Sequence, residues 1–153
     1  MFLNMAALSF AENDIMNAKK EIFSVTSTGG WIILGYSGNT IVLQHKGNGG
    51  VDEMVSYLAD DQIQYCLLRL LSEKDVNAID RRDGKQATKD IFIAWQGPSV
   101  RQVEKGKKSS HLGTVSKMLQ PFHAELTAIN KANFNEAVVR ERAAPLSGSH
   151  VID

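Results

Sequence analysis

Cysteine is nearly absent: Cys66 is the only one, so no intramolecular disulfide framework can form. It lies in the apolar run Tyr65-Cys66-Leu67-Leu68, where the expected role is a small buried hydrophobe in a reducing compartment. No apolar run approaches the length that crosses a bilayer, and Met1-Phe2-Leu3-Asn4 carries no basic segment of the signal-peptide kind. The expectation is a soluble cytoplasmic chain with no membrane partner. Net charge is absent as well, with 17 Lys and Arg against 17 Asp and Glu. A neutral chain whose basic stretch has no interleaved aromatics does not read as a nucleic-acid binder. The four histidines, His45, His111, His123 and His150, show neither i, i+4 pairing nor neighbouring ligands at metal spacing, so no metal is expected. No Gly-x-Ser-x-Gly elbow occurs either, and no residue is assigned a catalytic role.

What the chain does have is core material. Its 153 residues are 43% hydrophobic, enough for one compact domain without staples. The longest bounded apolar stretch, Ile91-Phe92-Ile93-Ala94-Trp95 within Thr88 to Gly97, is contiguous rather than alternating. That predicts a central strand covered on both faces. Before it, the pattern predicts a helix from Asn13 or Asp14 with Ile15, Ala18, Ile22 and Val25 inward. A hairpin of Trp31–Tyr36 with Thr40–Gln44 follows. A short helix over Val51–Ala59 and a strand over Gln62–Leu71 come next. After the central strand, Leu112, Val115, Met118, Leu119 and Phe122 mark a helix capped by Ser109 or Ser110. A strand over Ala124–Ile129 should pair parallel with the central one through this right-handed crossover. Asn133 should cap a last helix, Phe134–Arg142. The fold class is α/β of the α+β type: a mixed sheet of five to six strands sandwiched between four helices. Residues 1–11 are expected to be a flexible start, 12–142 the domain, and 143–153 a disordered tail.

Charge is distributed unevenly. Residues 80–142 carry 12 Lys and Arg against 7 Asp and Glu, and the remainder 5 against 10, which suggests one basic face and an acidic partner. Lys105, Lys107 and Lys108 crowd what reads as a helix start, where the dipole disfavours each cation by roughly 0.3 to 1 kcal/mol. A cost with no structural return points to binding. The loop His45-Lys46-Gly47-Asn48-Gly49-Gly50 keeps a second reading open, a small enzyme or nucleotide-binding protein of the α/β class that cradles phosphate at Gly47–Gly50. It lacks the Gly-x-Gly-x-x-Gly order, however, and the helix behind it opens with Asp52 and Glu53.

The succession helix, hairpin, short helix, strand and charged loop leads to Lys89-x-Ile-Phe-Ile-x-Trp95-x-Gly97 and then to Lys105-Gly106-x-x-Ser109-Ser110-His111. From Asn13 to Arg142 this resembles the actin-depolymerising-factor homology domain, the gelsolin/cofilin-like fold. It is most similar to the coactosin group, and the Lys-Gly-x-x-Ser-Ser-His stretch is also similar to the domain at the start of drebrin and its relatives. The resemblance implies a monomeric, cofactor-free protein of the cytoskeleton that binds the side of actin filaments. It implies contacts by Lys89 before the central strand, with Lys85 in the preceding loop, by Lys105, Lys107 and Lys108, and by Arg140 on the last helix. The cofilin-type serine-led N-terminus is missing, so severing and strong monomer binding are not part of the expectation.

Overall fold

The computed structural model describes residues 7–72 and 87–153 in full, and the backbone of 79–80 and 85–86. In chain order its elements are β1 (Ser9–Phe10), α1 (Glu12–Ile22), β2 (Gly30–Ser37), β3 (Thr40–Gly47), α2 (Val51–Ser56) and β4 (Ile63–Leu71). There follow β5 (Ile79–Asp80), β6 (Lys85–Gln86), β7 (Thr88–Gln96), α3 (Gln102–Ser109), α4 (Leu112–Leu119), β8 (Ala124–Ala128), α5 (Glu136–Ala143) and β9 (Val151–Ile152). Seven strands form one sheet in the order β1-β3-β2-β4-β7-β8-β9, and β5 pairs with β6 separately.

The central strand lies where its composition puts it. β7 pairs antiparallel with β4, Ile93 opposite Cys66, and parallel with β8, Ile93 opposite Leu126. Alternate side chains enter two separate cores, which is why the run is contiguous. Ile91, Ile93 and Trp95 face Trp31, Met54, Phe134 and Val139, under α2 and α5. Phe92 and Ala94 face Ile15, Ile22, Val115 and Leu119, under α1 and α4. Gly97 then turns the chain against the Ala59–Asp60 backbone, leaving no room for a Cβ. Trp95 Nε1 donates to the Ala59 carbonyl at 2.7 Å.

Several expectations are corrected. The sheet has seven strands rather than five or six, and there are five helices rather than four among the described residues. The added strands, β1 and β9, are two residues long and carry no period to read. α1 starts at Glu12 with no side-chain cap and ends at Ile22, so Val25 lies beyond it and is exposed. α5 is capped by Asn135, whose side chain accepts from the Val138 N–H at 3.0 Å, and not by Asn133.

Residues 143–153 form no disordered tail: Ala143 closes α5, and the chain turns through Ser147 to add β9 parallel to β8. Ile152 is wholly buried there. Part of the expected flexible start is likewise a strand, since Ser9 and Phe10 pair with Thr40 and Ile41.

Candidate functional site

The six basic residues singled out in the sequence fall into separate places. Lys89, near the start of β7, points to the α5 side, and its Nζ donates to the carbonyl of Ala143 at 2.9 Å. A cation on the last carbonyl of a helix is favoured by the dipole and satisfies an otherwise orphaned acceptor. Arg140 lies one turn earlier on α5, with Nε on Glu136 at 3.0 Å and Nη1 on the Leu71 carbonyl at 2.7 Å. Lys89 and Arg140 line one cleft together with Ser72 and Pro145. Both ammonium and guanidinium are therefore held in place by backbone, which restricts their rotamers in advance of any contact. Lys85 belongs to β6, where its backbone pairs with Asp80; its side chain lies outside the described residues.

Lys105, Lys107 and Lys108 sit elsewhere. The segment read as an approach to a helix is itself a helix, α3, with none of its residues buried. Lys107 and Lys108 occupy its last turn, where the dipole favours cations. The inference from a helix-start penalty therefore fails. Lys107 is exposed, whereas Lys108 pairs with Glu104 at 3.2 Å and lies 4.0 Å over the ring of Tyr36. Lys105 and Lys108 border a hollow beside Tyr65, Ala94 and Gln96, at the far end of β7 from Lys89 and on the other face. Seven residues of strand separate Lys89 from Gln96, about 23 Å at 3.3 Å per residue.

Two anchors of α3 escaped the sequence reading. The Tyr36 hydroxyl sits 2.7 Å from that of Tyr65 and 2.7 Å from Nδ1 of His111. Burial first, then the bond to Tyr65, push the Tyr36 hydroxyl far above the ordinary phenol range, so it stays a neutral hydrogen-bonding post. His111 was visible as the end of the Lys-Gly-x-x-Ser-Ser-His stretch, but its partner is 75 residues earlier.

Beneath the sites, Arg69 makes a bidentate pair with Asp90, 2.7 and 2.9 Å, and also donates to the Ser24 and Ser27 carbonyls. Asp90 is clasped again by His123, whose backbone N–H meets the Asp90 carbonyl at 2.7 Å while its Nδ1 accepts the Asp90 N–H at 2.8 Å. This locks the start of β7 to the start of β8. Lys19 donates to the Met118 and Gln120 carbonyls, and burial lowers its affinity for a proton despite nearby Asp90.

The glycine-rich loop does not present a phosphate cradle. The Glu53 carboxylate already accepts from Gly49 N–H at 3.2 Å and from Trp31 Nε1 at 3.1 Å, putting a negative charge where a phosphate would go. Among the described residues no helix is long and apolar enough to cross a membrane.

Residues 8–144 match the family of cofilin/tropomyosin-type actin-binding proteins. Drebrin-like protein B of Xenopus laevis is 28% identical over 149 residues, covering 96% of this chain and 35% of that protein. The chain thus spans about a third of the drebrin-like relatives it matches. Coactosin of Dictyostelium discoideum is 24% identical over 141 residues, 91% of each chain. The solved structure of mouse coactosin, described as an actin filament binding protein, superposes with a TM-score of 0.71 at 20% identity, covering 95% of both chains.

Proposed function

The chain belongs to the cofilin/tropomyosin-type actin-binding family, whose members bind actin and are not enzymes, and we propose that it binds the side of actin filaments in the coactosin manner. The observation that carries this reading is Lys89, an amine held at the mouth of the central strand by the last carbonyl of α5, with Arg140 beside it in one cleft. Lys105, Lys107 and Lys108, with Lys85, complete the basic contact surface. Because Lys89 and α3 lie at opposite ends and faces of β7, one flat patch cannot meet both. Two successive subunits of a filament can, and a lone monomer presents only one surface at a time. The protein acts as a monomer, without cofactor, at the cytoskeleton in the cytoplasm. The likeness to drebrin-like proteins supports the same chemistry.

Co-sedimentation with actin filaments, alongside a titration with monomeric actin, tests this. Lys89→Ala should weaken pelleting at least tenfold, Arg140→Ala added to it should weaken it further, and binding should fall steeply with salt because exposed charges are screened over about 10 Å at 0.1 M. Undiminished pelleting of Lys89→Ala would overturn the assignment of this residue. Tighter binding to monomers than to filaments would overturn the filament-side reading.

A further inference from the structure

One hydroxyl beside the α3 lysines has no partner. Ser110, which closes α3, is exposed, and its side chain makes no hydrogen bond among the described residues. The hydroxyl of its neighbour Ser109 is already engaged, donating to the Gly106 carbonyl at 2.8 Å. Lys107 and Lys108 stand three and two residues before Ser110, and Lys105 two residues before Lys107.

The segment can also leave its helix at small cost. α3 buries none of its residues and has no side-chain cap, which puts it at the low-stability end of the structure. Near Ser110 it is tied to the body by Lys108 over the Tyr36 ring and by His111 on the Tyr36 hydroxyl. Drawing residues 105–110 into an extended strand loosens those contacts and uncovers no buried side chain.

The charges indicate what would recognise this strand and what a modification there would do. Arg101, Lys105, Lys107 and Lys108 stand against Glu104 alone, four cations to one anion, a balance of +3. Lys108 pairs with Glu104 at 3.2 Å. Lys107 is exposed, has no ion pair among the described residues, and lies at an i, i+3 step from Ser110 on the helix. An enzyme that grips the extended segment must therefore offer carboxylates. A phosphate on Ser110 carries about −1.5 to −2 charges at pH 7, enough to engage Lys107 and lower the local balance to about +1. α4 begins with no side-chain cap and no acidic residue in its first turn, so its dipole favours that charge, while the C-terminal end of α3 disfavours it. The two helix ends offset each other, and the lysines remain as the dominant partner.

We propose that Ser110 is a phosphorylation site for a protein kinase with an acidic substrate groove, and that its phosphate turns off the α3 lysines as a filament-binding surface. The step is a phosphoryl transfer from ATP. Ser110 Oγ bonds to the γ-phosphorus, the bond from that phosphorus to the β,γ-bridging oxygen breaks, ADP leaves, and the hydroxyl proton passes to the kinase's base. The loss of binding rests on the filament-binding reading above and names its regulation; the acceptor assignment stands on the α3 segment alone.

The test treats the whole chain, parent and Ser110→Ala, with magnesium ATP and the catalytic subunit of cyclic-AMP-dependent protein kinase. Mass spectrometry locates the phosphate, and filament co-sedimentation reads its effect. The parent should take up one phosphate, on Ser110, and Ser110→Ala none. The phosphorylated parent should pellet at least about five-fold more weakly than the untreated parent while melting at the same temperature. Ser110→Ala, treated or not, should pellet as the untreated parent does. An unmodified Ser110 after treatment overturns the acceptor assignment. Phosphate on Ser110 with undiminished pelleting overturns the regulation and leaves filament binding standing. Failure of the untreated parent to pellet overturns the filament reading and the regulation with it, while the mass spectrum still decides the acceptor.

Discussion

Ile152→Ala asks whether the C-terminal segment is part of the fold. Ile152 has no exposed surface and packs in the core formed by Val139, Ala143 and Ala128. The substitution removes three carbons, about 2.4 kcal/mol at about 0.8 kcal/mol each, and an unrelaxed cavity would raise the loss into the range of roughly 2 to 5 kcal/mol. β9 is short, however. Its attachments are the Ile129 N–H to the Ile152 carbonyl at 2.9 Å, the Thr127 N–H to the His150 carbonyl at 3.0 Å, and the Asn133 and Arg142 side chains to the Asp153 and Val151 carbonyls. A strand so lightly held can detach rather than leave a void, which caps the loss at its own docking free energy. The expected cost is therefore about 2 to 3 kcal/mol, or roughly 4 to 12 °C in melting temperature for a domain of this size. Urea unfolding and a thermal melt measure it. Hydrogen exchange at the Ile129 amide should accelerate in the variant, because that N–H loses its acceptor when β9 leaves. Removing residues 144–153 should cost at least as much. A variant within about 0.5 kcal/mol of the parent, the range of an ordinary surface substitution, would refute the docked strand.

Gly97→Ala would drive a Cβ into the Asp60 backbone and should cost about 1 to 3 kcal/mol as overpacking; an unchanged urea midpoint would contradict the close approach. Arg69→Ala leaves Asp90, only 7% exposed, without its guanidinium, and should cost about 3 to 5 kcal/mol, whereas Arg69→Met with Asp90→Leu should recover much of that. If the double variant is no more stable than Arg69→Ala, the loss is not that of a stranded charge. Burial pushes the Cys66 thiol up, so the native protein should resist alkylation and react once per chain only after denaturation; rapid labelling of the folded protein would show an open core.

Where side chains repeat with a period, local pattern was enough. Ile91 to Trp95 read correctly as a strand covered on both faces because its apolar run is contiguous, and the pairing with β8 read correctly as parallel because a helix connects the two strands. α3 gives no such signal: Gly106 and three lysines leave it without an apolar stripe and with nothing buried, so its lysines read as the start of the following helix, and the dipole argument built on that placement reverses sign.

The amino-acid order by itself thus determined the sheet centre, the helices that pack on it and the family motif, since burial of a periodic face is a local property. Only the tertiary structure decided that the last residues form a strand and that α3 lies far from Lys89. It alone brought together Lys89 and Arg140. Those positions are joined by pairing between distant strands, and the contacts of a two-residue strand or a cleft wall come from its neighbours in space rather than from any pattern in its own sequence.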